Sequence, residues 1–152
     1  MRLDKLTTKF QQALADAQSL ALGHDHAYIQ PEHLLAAMLL QEDGPRALLA
    51  RAGVNVAALA QGIDAAVKRL PQVQGQEQVQ PSPDLIKLLQ ATEKESIKRG
   101  DQFIPSEMFL LALSDAKGEA ARIAKEHGLA RASLEAAIDA VRGGQSMDSA
   151  EG

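Results

Sequence analysis

The chain has 152 residues, of which 45% are hydrophobic, with a formal net charge of -4 and no cysteine. This composition is typical of one soluble globular domain, and it excludes disulfides and thiolate metal sites. No Lys/Arg cluster is present to neutralise a phosphate backbone, so no nucleic-acid partner is expected. No run approaches the roughly 18 apolar residues of a membrane span, and the N-terminus lacks an apolar signal core. We therefore expect a cytoplasmic protein without membrane contact.

Apolar residues at helical spacing, together with capping residues, predict four helices in the first half of the chain. These helices are expected to begin near Thr7, Pro31, Pro45 and Asn55, and to end near Gly23, Leu40, Gly53 and Pro71. Four more are expected to begin near Ser82, Pro105, Gly118 and Ser133, and to end near Gly100, Ser114, Gly128 and Gly143. Residues 71–84, rich in Gln and Pro, are predicted to form a mobile linker that proteases reach easily. The polar tail, residues 145–152, is predicted to be disordered.

The two halves of the chain match each other at a fixed offset of 75 residues. Residues 28–40 and 103–113 are each apolar at nearly every helical position, so both helices are expected to be buried and central. Eleven residue pairs are identical at this offset, including the tripeptides 63–65 and 138–140. We therefore predict an all-α fold in which residues 1–144 form one globular domain of eight helices. Two pseudo-two-fold-related four-helix repeats, about 6–70 and about 82–143, would build it.

Five motifs carry a family resemblance. They are Arg2-Leu3-Asp4-Lys5-Leu6-Thr7, residues 15–25, Pro31-Glu32-His33-Leu34-Leu35, Arg69-Leu70-Pro71, and Lys98-Arg99-Gly100-Asp101 with Phe103-Ile104. Together they resemble the Clp N-terminal repeat family, and within it the N-terminal domains of ClpB-type AAA+ disaggregases. The resemblance covers the chain from Met1 to about Gly144.

The resemblance implies a stress-response chaperone domain that binds unfolded or aggregated polypeptides. It also implies delivery of these polypeptides to an ATP-driven hexameric ring that works with the DnaK chaperone system. We expect the isolated domain to be a monomer and the full-length protein a homohexamer. The chain contains no GxxxxGK motif followed by Ser or Thr. It is therefore not expected to be an enzyme, and ATP and magnesium are expected only in ATPase modules outside it.

The candidate binding site combines this resemblance with a difference between the two halves. The resemblance implies that Thr7, Asp101 and Glu107 engage the substrate. The second central helix begins with Met108 and Phe109, and a flexible methionine beside apolar neighbours suits a surface that accepts varied chains. We therefore predict a shallow apolar groove with a polar rim. The groove residues are Leu89, Ala91, Met108 and Phe109, and the rim residues are Thr7, Asp101 and Glu107.

Parts of the sequence could serve three other functions. His24, Asp25, His26 and His33 could ligate a metal, but they lack the paired spacing of zinc sites, so no metal site is predicted. Glu32 and Glu107 occupy equivalent positions and could act as an acid and a base, although carboxylates in a first helical turn also stabilise the helix. The remaining alternative is an adaptor-docking module of a protease-associated Clp ATPase, in which the bound partner is a folded protein.

Overall fold

The computed structural model describes residues 2–151, which contain eight α-helices and one small parallel sheet. The helices are α1 (Thr8–Gly23), α2 (Pro31–Leu40), α3 (Arg46–Arg51), α4 (Val56–Arg69), α5 (Pro83–Arg99), α6 (Ser106–Ser114), α7 (Glu119–Glu126) and α8 (Arg131–Arg142). The sheet pairs β1 (Tyr28–Ile29) with β2 (Gln80–Pro81). These bounds confirm the predicted all-α class. Within residues 2–151 no helix combines the length and the hydrophobicity that a membrane crossing needs.

Side-chain caps begin three of the helices at the predicted residues. The hydroxyl of Thr7 accepts a hydrogen bond from an amide of the first turn of α1, and Asn55 and Ser82 do the same for α4 and α5. Such caps stabilise a helix by about 1 kcal/mol each because they satisfy amides that have no partner within the helix. At the other end of α5, Gly100 adopts the left-handed conformation that ends many helices.

The two apolar helices, α2 and α6, form the centre of the domain. Most side chains of both are buried, as their composition predicts. Helix α1 packs along α2 and α5 packs along α6. The rings of Phe10 on α1 and Phe109 on α6 meet edge to face with their centroids 6.4 Å apart. One continuous core therefore joins both halves of the chain, because this aromatic contact crosses from one half to the other.

The 75-residue offset reappears in the positions of the helices. Helices α5, α6 and α8 each begin 75 residues after α1, α2 and α4. Packing follows the same relation, since α4 contacts α7 and α8 contacts α3. This correspondence supports the division into two four-helix repeats, which stays our interpretation.

The segments that precede the helices pair reciprocally between the halves. Leu6, before α1, bridges Ile104, before α6, and Pro81, before α5, pairs with Ile29, before α2. Both pairings are parallel. In each, the residue that follows the paired residue donates a further backbone hydrogen bond to the opposite segment. These hydrogen bonds join Thr7 N to Ile104 O at 3.1 Å and Ser82 N to Ile29 O at 3.0 Å. Each half thus completes its short strand with a segment from the other half.

Two glycines approach each other closely where the halves meet. Gly53 and Gly128 have φ angles of +89° and +107°, in the region that favours glycine. A Cβ atom on Gly128 would lie 2.8 Å from the carbonyl oxygen of Gly53. This contact requires glycine at position 128 for space as well as for conformation.

The linker has irregular backbone that touches the domain near both ends. The Val73 amide donates to the Asp25 carbonyl at 2.7 Å, and the Val79 side chain is buried. The C-terminal end of this segment is regular, since it contains β2 and residues 83–84 already belong to α5. Mobility and easy proteolysis of residues 71–84 stay predictions.

The tail after α8 also has irregular backbone, and it lies against the domain. The Met147 carbonyl accepts hydrogen bonds from the amides of Gln102 and Phe103 at 2.9 and 3.1 Å. Farther along, the Ala150 carbonyl accepts from the Thr8 amide at 2.9 Å. The composition-based prediction of flexibility stays a prediction, and the structure adds the surface on which the tail rests.

Candidate functional site

The structure does not place Met108 and Phe109 on a groove. Both side chains are completely buried in the core. The inner side of the first turn of α6 is covered, because Phe10 of α1 packs on Phe109 and the Leu6–Ile104 bridge lies just before the helix. The prediction that these two residues line an apolar groove is therefore wrong.

Leu89 and Ala91 lie apart from the predicted polar rim. Leu89 is buried on the inner face of α5. Ala91 lines a cleft of about 810 Å³, together with Glu32, Leu88 and Ala112. We call this the Glu32 cleft. Neither Thr7 nor Glu107 lines it, so the single groove predicted from the sequence divides into separate regions.

A second cleft does bring Thr7 and Glu107 together. This Glu107 cleft has a volume of about 360 Å³, and the first turn of α6, the end of α8 and the segment around α3 form its walls. Its apolar lining includes Pro45, Leu48, Pro105, Ile138 and Val141. Val141 is 63% exposed, and Ala47 of the same lining is also exposed, whereas Pro45, Pro105 and Ile138 are buried. The cleft thus combines apolar surface with a carboxylate, but its apolar residues differ from those predicted for the groove.

Some residues of the two clefts correspond at the 75-residue offset. Glu32 matches Glu107, and Lys9 in the Glu107 cleft matches Asp84 in the Glu32 cleft. The environments of the two glutamates differ. Glu32 is buried, and this burial raises the pKa of its carboxyl, against a smaller lowering by a hydrogen bond to its own backbone amide. Glu107 instead shares an ion-pair cluster at the mouth of its cleft.

Arg142 organises that cluster, and the sequence analysis missed it. Its guanidinium donates to both oxygens of Asp101 at 2.9 and 3.0 Å and to Glu107 Oε2 at 3.3 Å. Burial alone would lower the pKa of Arg142, but the hydrogen bonds and charges of Asp101 and Glu107 raise it above its ordinary value. The available signal was a basic residue in the last turn of α8, where arginine also stabilises a helix end.

Thr7 and Asp101 are less accessible than a substrate-contacting rim requires. Thr7 is buried and uses its hydroxyl to cap α1. The side chain of Asp101 is completely buried between Arg142 and the tail, where the Met147 amide donates to it at 2.8 Å. Glu107, whose side chain is 21% exposed, is the member of the predicted rim that a ligand reaches directly.

The histidines near α2 form a hydrogen-bonded chain. The Gln30 amide donates to His33 Nδ1 at 2.8 Å, and His33 Nε2 lies 2.8 Å from His26 Nδ1. Since Nδ1 accepts, neutral His33 carries its proton on Nε2 and donates it to His26. Desolvation is the main reason that the pKa of His33 falls to about 4 and that the pKa of His26 is lowered. Within residues 2–151 no group of three or more potential ligands is placed to hold a metal ion.

The Glu107 cleft is suited to hold a polypeptide segment. Its apolar walls can receive an aliphatic side chain, and the Glu107 carboxylate can accept a hydrogen bond from a backbone amide or pair with a basic side chain. A volume of about 360 Å³ lies near the lower end of the roughly 300–1,000 Å³ of ligand pockets. This size accommodates one or two side chains rather than a whole folded surface.

Comparison with known proteins places the chain in a family. The model of the Clp repeat (R) N-terminal domain matches residues 5–127. Chaperone protein ClpB of Dichelobacter nodosus is 44% identical over 145 residues, which are 94% of this chain and 17% of the relative. The chain therefore spans less than a fifth of the length of that relative.

Solved structures show the same fold. The N-terminal domain of Hsp104 from Candida albicans superposes with a TM-score of 0.84 at 21% identity, and 97% of each chain is covered. A complex of the ClpV N-domain with a VipB peptide superposes with a TM-score of 0.73 at 25% identity, covering 94% of this chain and 90% of the other. The fold agrees with the family model, whose match over residues 5–127 shows that the chain belongs to the family of Clp repeat N-terminal domains.

Proposed function

We propose that this chain is the substrate-binding N-terminal domain of a ClpB-type disaggregase. It engages exposed hydrophobic segments of unfolded or aggregated polypeptides through the Glu107 cleft. The observation that carries this proposal is the cleft itself, which is lined both by exposed Val141 and by Glu107. A polypeptide segment supplies both an apolar side chain and a backbone amide to match these groups.

The size of the cleft sets the strength of binding. Burial of a few side chains contributes about 25 cal/mol per Å² and must offset roughly 4 kcal/mol or more of association entropy. A dissociation constant on the order of tens of micromolar or weaker follows for one domain. Weak binding suits a machine that must release the chain it pulls. Six linked copies would raise the local concentration of sites and compensate for this weakness.

The wider assembly is part of the proposal. We assign ATP and magnesium to ATPase modules of a full-length homohexamer, which cooperates with the DnaK system in the cytoplasm. The support for this assignment is the likeness to ClpB over nearly the whole of this chain. The domain itself contributes capture of the polypeptide and not hydrolysis.

The test is a titration of the domain with fluorescein-labelled α-lactalbumin that has been reduced and carboxymethylated, so that it stays unfolded. Val141→Asp places a charge on the exposed apolar wall and is expected to weaken binding about fivefold or more, equivalent to about 1 kcal/mol. Leu40→Asp is the matched control, because Leu40 is 73% exposed and lines neither cleft. Circular dichroism establishes that both variants are folded.

A third variant separates the two clefts. Ala91→Asp alters the Glu32 cleft and leaves the Glu107 cleft untouched. The Glu107 cleft is the wrong site if Ala91→Asp weakens binding while Val141→Asp binds like the parent. Absence of binding by the parent domain at millimolar concentration would reject polypeptide capture altogether.

Docking of a folded adaptor is a second candidate function. It is favoured by the structure of the related ClpV N-domain with a VipB peptide, in which a defined partner segment is bound. A pull-down that compares native α-lactalbumin and other folded proteins with unfolded chains separates the two functions. Capture of one folded partner, with no retention of unfolded chains, would favour the adaptor.

A further inference from the structure

The tail of the chain lies on the Asp101 end of the candidate site. The Asp101 side chain has no exposed surface, and one of its hydrogen bonds comes from the Met147 amide. A carboxylate covered in this way cannot touch a bound polypeptide. For Asp101 to contact a ligand that is bound in the neighbouring Glu107 cleft, residues 145–151 must first move away.

Backbone hydrogen bonds hold this tail. The Met147 carbonyl accepts from the Gln102 and Phe103 amides, and the Ala150 carbonyl accepts from the Thr8 amide. The one hydrogen bond between side chains joins Thr8 Oγ1 to Glu151 Oε1 at 2.6 Å. Because these contacts involve mainly the main chain, an extended segment of almost any sequence could make them.

The tail is also held weakly enough to dissociate from the domain. Met147 and Ala150 are half-buried, while residues 145, 146, 148, 149 and 151 are exposed, so little apolar surface opposes release. Ordering seven residues costs conformational entropy that a few hydrogen bonds offset only in part. Gly143 and Gly144, both with positive φ, precede the tail and give it a flexible attachment.

We propose that residues 145–151 are a cis-acting cover of this surface and that an extended segment of the polypeptide ligand replaces them. The ligand would accept hydrogen bonds from the amides of Gln102, Phe103 and Thr8 and donate one to Asp101. The site would then recognise the main chain at this end and apolar side chains in the Glu107 cleft. This inference rests on the proposed function, since it describes how the same ligand gains access.

The experiment compares the 152-residue chain with a chain that ends at Gly144. Met147→Pro provides a second variant that keeps the tail but removes the amide that donates to Asp101. Ser146→Pro is its matched control, because the Ser146 amide makes no hydrogen bond within residues 2–151. Each protein is titrated with the same labelled, reduced and carboxymethylated α-lactalbumin. Amide hydrogen exchange at Gln102 and Phe103 is followed without and with this probe.

Removal of a competing tail increases the fraction of binding-competent protein, so the truncated chain is expected to bind about threefold to tenfold more tightly. Met147→Pro should bind more tightly as well, and Ser146→Pro should match the parent. The amides of Gln102 and Phe103 should exchange faster in the truncated chain and regain protection when the probe is added.

Equal affinity of the 152-residue chain and the truncated chain would overturn the cover while leaving the proposed function intact. Unprotected Gln102 and Phe103 amides in the probe-bound truncated chain would overturn it too, because the ligand would then not occupy the place of the tail. If no form of the chain binds the probe, the proposed function fails and this inference fails with it.

Discussion

Replacement of Arg142 by methionine is expected to destabilise the fold, and the structure indicates by how much. Methionine keeps an unbranched apolar stem but removes the two hydrogen bonds to Asp101. The Asp101 carboxylate would then stay buried with the Met147 amide as its remaining partner. Breaking a fully buried ion pair costs about 3–5 kcal/mol, because the charge left behind is not compensated.

Local opening of the tail should make the cost of Arg142→Met smaller than this value. The Asp101 carboxylate is covered on one side by the polar tail, whose release lets water reach the charge. We therefore expect Arg142→Met to lower the free energy of unfolding by about 2–3 kcal/mol, the range for loss of hydrogen bonds to a charged group. Asp101→Asn removes the buried charge and leaves Arg142 paired with Glu107, so its cost should be about 1–2 kcal/mol.

Urea unfolding followed by circular dichroism at 222 nm measures these values, and the double variant completes the cycle. The two residues are in contact, so the double variant should be more stable than the sum of the single effects predicts, by about 1 kcal/mol or more. Additivity within about 0.5 kcal/mol would refute the reasoning. So would an Arg142→Met cost near zero, which is typical of an exposed ion pair.

Two further predictions concern the core of the fold. In Gly128→Ala, alanine would have to adopt a φ of +107° with its Cβ atom 2.8 Å from the Gly53 carbonyl oxygen. We expect this change to lower the free energy of unfolding, measured in urea, by at least about 1–3 kcal/mol. Gly23→Ala, where a Cβ meets no atom within 4 Å, should be neutral or stabilising by up to about 1 kcal/mol, and equal effects of the two changes would contradict the packing argument. Because the pKa of His33 is about 4 in the fold and about 6.5 unfolded, the unfolded state binds more protons between these values, and stability should fall by roughly 2 kcal/mol from pH 7 to pH 5. The loss of stability should be smaller in His33→Asn. If the stability of the parent does not change between pH 7 and pH 5, His33 and His26 are not a buried neutral pair.

The sequence predicted the helices well because their ends carry local signals. Thr7, Asn55 and Ser82 cap the helices that they were expected to cap, since such caps depend on residues only a few positions away. The two apolar helices are central, because a helix without a polar face has no other stable position. Periodicity and capping therefore determined the all-α class.

The site was harder to predict because it depends on contacts between distant segments. Met108 and Phe109 were expected at an exposed helix end, but both are buried, and Phe109 packs on Phe10 of α1, almost a hundred residues earlier in the sequence. Arg142 gave only a weak signal, and its role appears once α8 approaches Asp101. Glu107 was predicted as a rim residue from its position in the repeat and the family resemblance; it lines the Glu107 cleft, and its contact with a ligand stays a prediction.

The reciprocal strand pairing makes the two halves dependent on each other. A cut within residues 74–78 would yield an N-terminal fragment that retains Ile29 without Pro81 and a C-terminal fragment that retains Ile104 without Leu6. Neither fragment could complete its own short strand, while each would carry the strand that the other lacks. The nicked protein should therefore hold together as a non-covalent heterodimer, and the separated fragments should complement each other when mixed.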